Sequence, residues 1–131
     1  MPTTQVHQDK QSRTERTLSN LQQSQNNSQY AEWIVTLAFY RALHAVDSYL
    51  ATKCIHPTVH TNQQGTGRNQ HVQNHLTKIY PQYFALYQAS LTARYKEDTY
   101  RNEPQAVIDL VNDSLAIEKH VNTLLASGAT P

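Results

Sequence analysis

The chain is short of most of what would announce a chemistry. One cysteine, Cys54, in 131 residues leaves no internal disulfide and no thiolate-rich zinc site. Three glycines leave no phosphate loop. The sole Gly-rich stretch, Gly65-Thr66-Gly67, lacks the length and the lysine such a loop needs. No Gly-x-Ser-x-Gly elbow occurs. Hydrophobic residues make up 38% and charged ones 16%, both below ordinary globular usage. No window approaches the apolar length that spans a bilayer. A net charge of +1 gives no overall field toward nucleic acid or membrane, so a nucleic-acid role needs a local patch. MPTTQVHQDKQSRTERT, the first stretch, has no apolar h-region of a secretory signal. These absences point to one cytoplasmic domain with neither cofactor nor membrane segment.

What is present is helical. Residues 1–28 are rich in Gln, Ser, Thr and Asn and bury too little to offset their ordering entropy. They read as a polar N-terminal tail or a weakly held helix that docks through Leu18 and Leu21. Residues 29–127 carry the bundle. In YAEWIVTLAFYRALHAVDSYLATK, 30–53, apolar side chains fall nearly all round the wheel, which marks a central helix. Residues 54–67 form a loop with Pro57, Gly65 and Gly67. Val72, Leu76 and Ile79 give a short amphipathic helix over 67–80. Pro81 starts another helix, running to about Tyr100, with Tyr83, Phe84, Tyr87, Leu91 and Arg94 on one face. Asn102, Pro104 and Gln105 signal the start of a last helix, closed by Gly128. No period-2 pattern appears. The expected fold class is all-α, an up-down bundle of four to five helices.

The central helix poses the functional question, because Arg41, His44 and Asp47 lie within it. Arg41, His44 and Ser48 share a stripe with Trp33 and Leu37, whereas Asp47 falls beside Tyr40. One reading is structural: Arg41 is buried along its stem and paired with a carboxylate of a neighbouring helix. Glu97, Asp98 and Asp113 are the candidates, and His44 is then a hydrogen-bonded core histidine. The other reading is a site in which an arginine holds phosphate and a histidine moves a proton. The short helix adds Arg68, Asn69, His71 and His75. His71 and His75 have the spacing of half a metal site, but no acidic or Cys ligand in the segment completes it, so no metal is assigned.

With "WIVTLAFYRALHAVDSYL", "HPTVH", "GRN" and "SLTARY", the chain resembles the HEPN superfamily of small prokaryotic helical proteins. Phe39-Tyr40-Arg41-Ala42-Leu43-His44 fills the place of the family's first-helix Tyr–His pattern. His60, Arg68 and Arg94-Tyr95 match its loop His, its following Arg and its late Arg-Tyr. The similarity spans about residues 30–126. It implies a helical up-down bundle that forms a homodimer and handles RNA or nucleotide phosphate, as a metal-independent ribonuclease in one branch. There, Arg68 contacts phosphate and His75 acts as acid or base, with His44, His60, Asn69, Arg94 and Tyr95 lining the pocket. In ribonuclease members the Arg–His motif usually lies between the last two long helices, whereas here it follows the loop. The alternative is a non-catalytic interaction module, the protein partner of a toxin–antitoxin or nucleotidyltransferase-linked system.

Overall fold

The structure, a computed structural model, describes residues 4–22, 30–96 and 99–128. Among the described residues five α-helices follow one another: α1 (Thr4–Gln22), α2 (Ala31–Thr52), α3 (Arg68–His75), α4 (Tyr80–Tyr95) and α5 (Pro104–Ser127), with a 3-10 turn at Thr77–Ile79 before α4. No strand occurs among the described residues. The protein is an all-α bundle.

Helix α2 is its axis. It packs against α1, α4 and α5 and more lightly against α3, as a helix apolar on nearly every side must. Phe39, Val46 and Leu50 of α2 are fully buried, together with Tyr83 and Leu86 of α4 and Ile117 and Val121 of α5. Burying each such side chain contributes roughly 1.5–3 kcal/mol. Trp33 departs from the pattern. Although it shares the Arg41–Ser48 stripe, it is 65% exposed.

Helix boundaries follow local chemistry. At the end of α2, Cys54 takes φ 60°, Ile55 N–H donates to Leu50 O at 3.0 Å and Cys54 N–H to Ala51 O at 3.0 Å. This is the paired C-terminal motif usually closed by glycine. The segment expected as one helix over 67–80 is instead broken at Leu76, with φ −133° and ψ 52°. Pro81, which lacks an N–H, then sits in the first turn of α4, where that donor is not needed. α4 stops at Tyr95 instead of near Tyr100, where Lys96 is extended. α5 starts at Pro104 as expected, but Glu103 holds the cap position without a side-chain cap bond. Gly128 closes α5 in the left-handed conformation.

The N-terminal segment is a helix over residues 4–22, lying on α2, with Gln11 reaching Glu118 of α5. Its expected anchor Leu18 is fully buried. Residues 1–3 and 23–28 of the expected tail, and the side chain of Leu21, lie outside the described residues.

Candidate functional site

The polar residues of the central helix sort into two networks. The first is centred on Asp47, the acid that α2 carries one turn beyond His44. Loop carbonyls set up its partner. Arg68 N–H donates to Val59 O and Asn69 N–H to His60 O, both at 2.8 Å, so the loop satisfies orphan donors at the start of α3. Gly67 allows this approach. A Cβ there would stand 2.7 Å from His60 O and 2.7 Å from Thr61 Cα.

So placed, the Arg68 guanidinium reaches α2. Its Nε donates to Asp47 Oδ1 at 2.7 Å and its Nη2 to Asp47 Oδ2 at 3.1 Å. Nη2 also donates to Pro57 O at 3.1 Å, and Nη1 lies 3.3 Å from His60 Nδ1. Asp47 is 6% and Arg68 9% exposed. A bidentate fork of this kind is the strongest geometry open to an arginine. Since the guanidinium can only donate, His60 Nδ1 accepts, which assigns the ring proton to Nε2. The His60 pKa is lowered, first by burial and then by the charges of Arg68 and Arg94.

Around this pair the interior is aromatic and weakly polar. The His60 ring lies 5.1 Å from Tyr87 and 5.8 Å from Phe39. Tyr83 is fully buried, and burial pushes its hydroxyl far above the ordinary tyrosine range. His44 stacks on Tyr40 at 6.3 Å. Burial drives its pKa down to about 4, with Asp47 pulling the other way, so it is neutral near pH 7. Asn69 is 2% exposed.

The second network belongs to Arg41, which is 4% exposed. Its Nε lies 3.9 Å from Glu15 Oε1 of α1 and 3.9 Å from Glu118 Oε2 of α5. Neither is one of the partners expected from sequence, Glu97, Asp98 and Asp113. Glu97 and Asp98 lie outside the described residues. Gln11 Nε2 donates to Glu118 Oε2 at 2.7 Å. The Glu15 pKa is pushed up to about 7 by its hydrogen bond to Glu118, by burial and by the Glu118 charge, against the pull of Arg41. Glu15 therefore keeps its proton up to about pH 7, hydrogen-bonded to Glu118.

The expected site residues are thus only partly gathered. His44, His60 and Arg68 surround Asp47, and Asn69 is buried beside Arg68 on α3. Arg94 joins through Tyr40: its Nη1 lies 3.4 Å from Tyr40 Oη, while its Nε donates to Ser90 O at 3.2 Å. Its guanidinium is 5.6 Å from the ring of Tyr95, which is 77% exposed. Trp33 and Arg94 flank a cavity of about 230 Å³ with Glu32, Thr36 and Ala93. His75 stands elsewhere, its ring 6.0 Å from that of His71. Among the described residues no three His, Cys, Asp or Glu side chains are grouped to hold a metal, and no helix is long and apolar enough to cross a membrane.

Sequence reasoning passed over Asp47 as a site residue. The signal was there: a carboxylate in the most apolar helix needs a buried cation, and Arg68 is the one that reaches it. Comparison with protein-family models, with curated proteins and with solved structures finds no match to this chain.

Proposed function

We propose that this domain is a non-catalytic interaction module whose buried polar residues fix the placement of its helices. The observation that supports it is the Asp47–Arg68 fork. In the phosphate-handling reading Arg68 must offer its donors to an incoming anion. Here Nε, Nη1 and Nη2 are each engaged by a protein group, and Asp47 supplies the counter-charge. An arginine bound this way exchanges a buried, bidentate partner for any ligand it takes up. The HEPN-like pattern of Tyr40, His44, His60 and Arg68 is, on this reading, a packing pattern, and the module works as a partner subunit. Incubation of a labelled RNA with wild type, Arg68→Ala and His75→Ala tests it. The expected result is no cleavage above the buffer rate by any of them. Cleavage by wild type that is lost in a folded His75→Ala variant would overturn the reading.

A second reading, contact with RNA or nucleotide phosphate without cleavage, is favoured by Arg94. It is exposed and lies with Trp33 on one cavity and against Tyr95, a pairing of cation and open rings suited to phosphate and base. Titration of a labelled single-stranded oligonucleotide checks it: Trp33→Ala and Arg94→Ala should each weaken binding about tenfold. Equal binding by wild type and both variants contradicts it.

A further inference from the structure

Helix α1 is held in place by an unusual interface. Its positions facing the bundle, spaced by three and four, are Thr4, His7, Gln11, Glu15 and Leu18. Of these only Leu18 is apolar, and Val6 is 40% exposed. Helices in globular proteins ordinarily take their stability from an apolar stripe. Here polar contacts stand in its place. Thr4 Oγ1 donates to Ser48 O at 3.3 Å, Gln11 binds Glu118, and Glu15 meets Arg41 and Glu118. The seam between α1 and α5 is open, forming a cavity of about 600 Å³ lined by Gln8, Gln11 and Glu15 on one side and Glu118, Asn122 and Leu125 on the other. The apolar core that joins α2, α4 and α5 is built on Phe39, Tyr83, Leu86, Ile117 and Val121, and among the described side chains of α1 only Leu18 belongs to it.

We propose that α1 is a detachable cover: it leaves the bundle as a unit while α2, α4 and α5 stay folded, and in leaving uncovers Arg41, His44 and the side of α2 that bears Asp47. Local opening of this kind falls to elements with few buried apolar contacts, and among its described side chains α1 buries one, Leu18. On the covered surface Arg41, His44 and Asp47 meet a helix that contributes one buried apolar side chain among those described.

The groups at the interface make the opening respond to pH at both ends of α1. His7 is 8% exposed and faces Asp47 and His44 of α2, His56 of the loop and Arg68 of α3, with Lys10 on its own helix. Its pKa is lowered, chiefly by burial, so protonation in acid favours the undocked helix. Glu15 faces Glu118 of α5 and Arg41 of α2 and keeps its proton up to about pH 7 when docked. Its ionisation therefore favours undocking in mild alkali. Docking weakens toward each side of the interval between the two titrations.

Amide hydrogen exchange of the full chain, followed by mass spectrometry from about pH 5 to about pH 8.5 and corrected for intrinsic rates, tests the proposal. Amides of residues 8–18 should exchange at least about tenfold faster than those of Val46 and Ile117 throughout. Their protection should fall further at both ends of the pH range while that of α4 and α5 holds. In Glu15→Gln the loss above about pH 7 should disappear and the acid loss remain. If residues 8–18 are as protected as α2 and α5 at every pH, or open only together with them, the cover does not exist. A variant that keeps the alkaline loss unchanged removes Glu15 from the account and overturns the pH response.

Discussion

The decisive residue is Asp47. A lone carboxylate inside an apolar helix costs several kcal/mol unless a cation and hydrogen bonds meet it, and Arg68 meets it with both ends of its fork. Removing either partner leaves the other buried and unpaired. Arg68→Ala should therefore cost about 3–5 kcal/mol in urea unfolding. Arg68→Lys keeps the charge but not the fork and should still cost roughly 1–3 kcal/mol. Tyr83 gives the opposite case. Its hydroxyl is buried with no hydrogen-bond partner among the described residues, so Tyr83→Phe should change stability by less than about 1 kcal/mol. A loss well beyond that would reveal a partner for the hydroxyl. Arg41, by contrast, has carboxylates no nearer than 3.9 Å among the described residues.

At the level of elements, turn chemistry was partly legible and pairing was not. Gly128 and Pro104 marked the limits of α5 as expected, because positive φ and a fixed φ are properties of single residues. The break at Leu76 was missed, since the apolar spacing of Val72, Leu76 and Ile79 continues across it. Pro81, in the first turn of α4, marks where the next helix starts and not where the earlier one ends. The turn after α2 carries a cost visible only in three dimensions. Cys54 holds φ 60° where glycine is normal, and its side chain is exposed. Cys54→Gly should raise stability by about 0.5–1 kcal/mol in thermal unfolding. Gly67→Ala should do the reverse by roughly 1–3 kcal/mol, because a Cβ there would press on the backbone of residues 60 and 61. With that loop displaced, His60 and Arg68 lose their alignment.

For the whole molecule, the helical class and the central place of α2 could be read from hydrophobic patterning alone, because a helix apolar on most sides has to be surrounded. Which charges meet could not be read, because Asp47 and Arg68 are 21 residues apart and Arg41 and Glu118 are 77 apart. Only the assembled bundle selects those partners. The docking of α1 on a polar stripe was likewise hidden, since Leu18 is the one apolar anchor among its described side chains that face the bundle. The bundle should respond to pH in two senses. His44, lowered to about 4, and His7 and His60, also lowered, are neutral when folded. The unfolded chain binds more protons below about pH 6.5, so their contribution is complete above that value and lost as pH falls toward 4. His44 alone accounts for up to about 3 kcal/mol. Glu15, raised to about 7, acts oppositely. Its contribution is complete below about 4.5 and is lost as pH rises through 7, and exposure to solvent reduces it. Thermal melts from about pH 4 to pH 8 should show a steep acid loss and a shallower alkaline one.

The claim on which the functional reading stands is that Arg68 is spent on Asp47. The most direct measurement is a double-mutant cycle in urea with wild type, Asp47→Ala, Arg68→Ala and the pair together. Each single change should destabilise by about 3–5 kcal/mol, and the double change by little more than either, giving a coupling nearly as large as the cost of one single change. Simple additivity, or an Arg68→Ala protein as stable as wild type, would contradict the pairing and return Arg68 to the phosphate-binding reading.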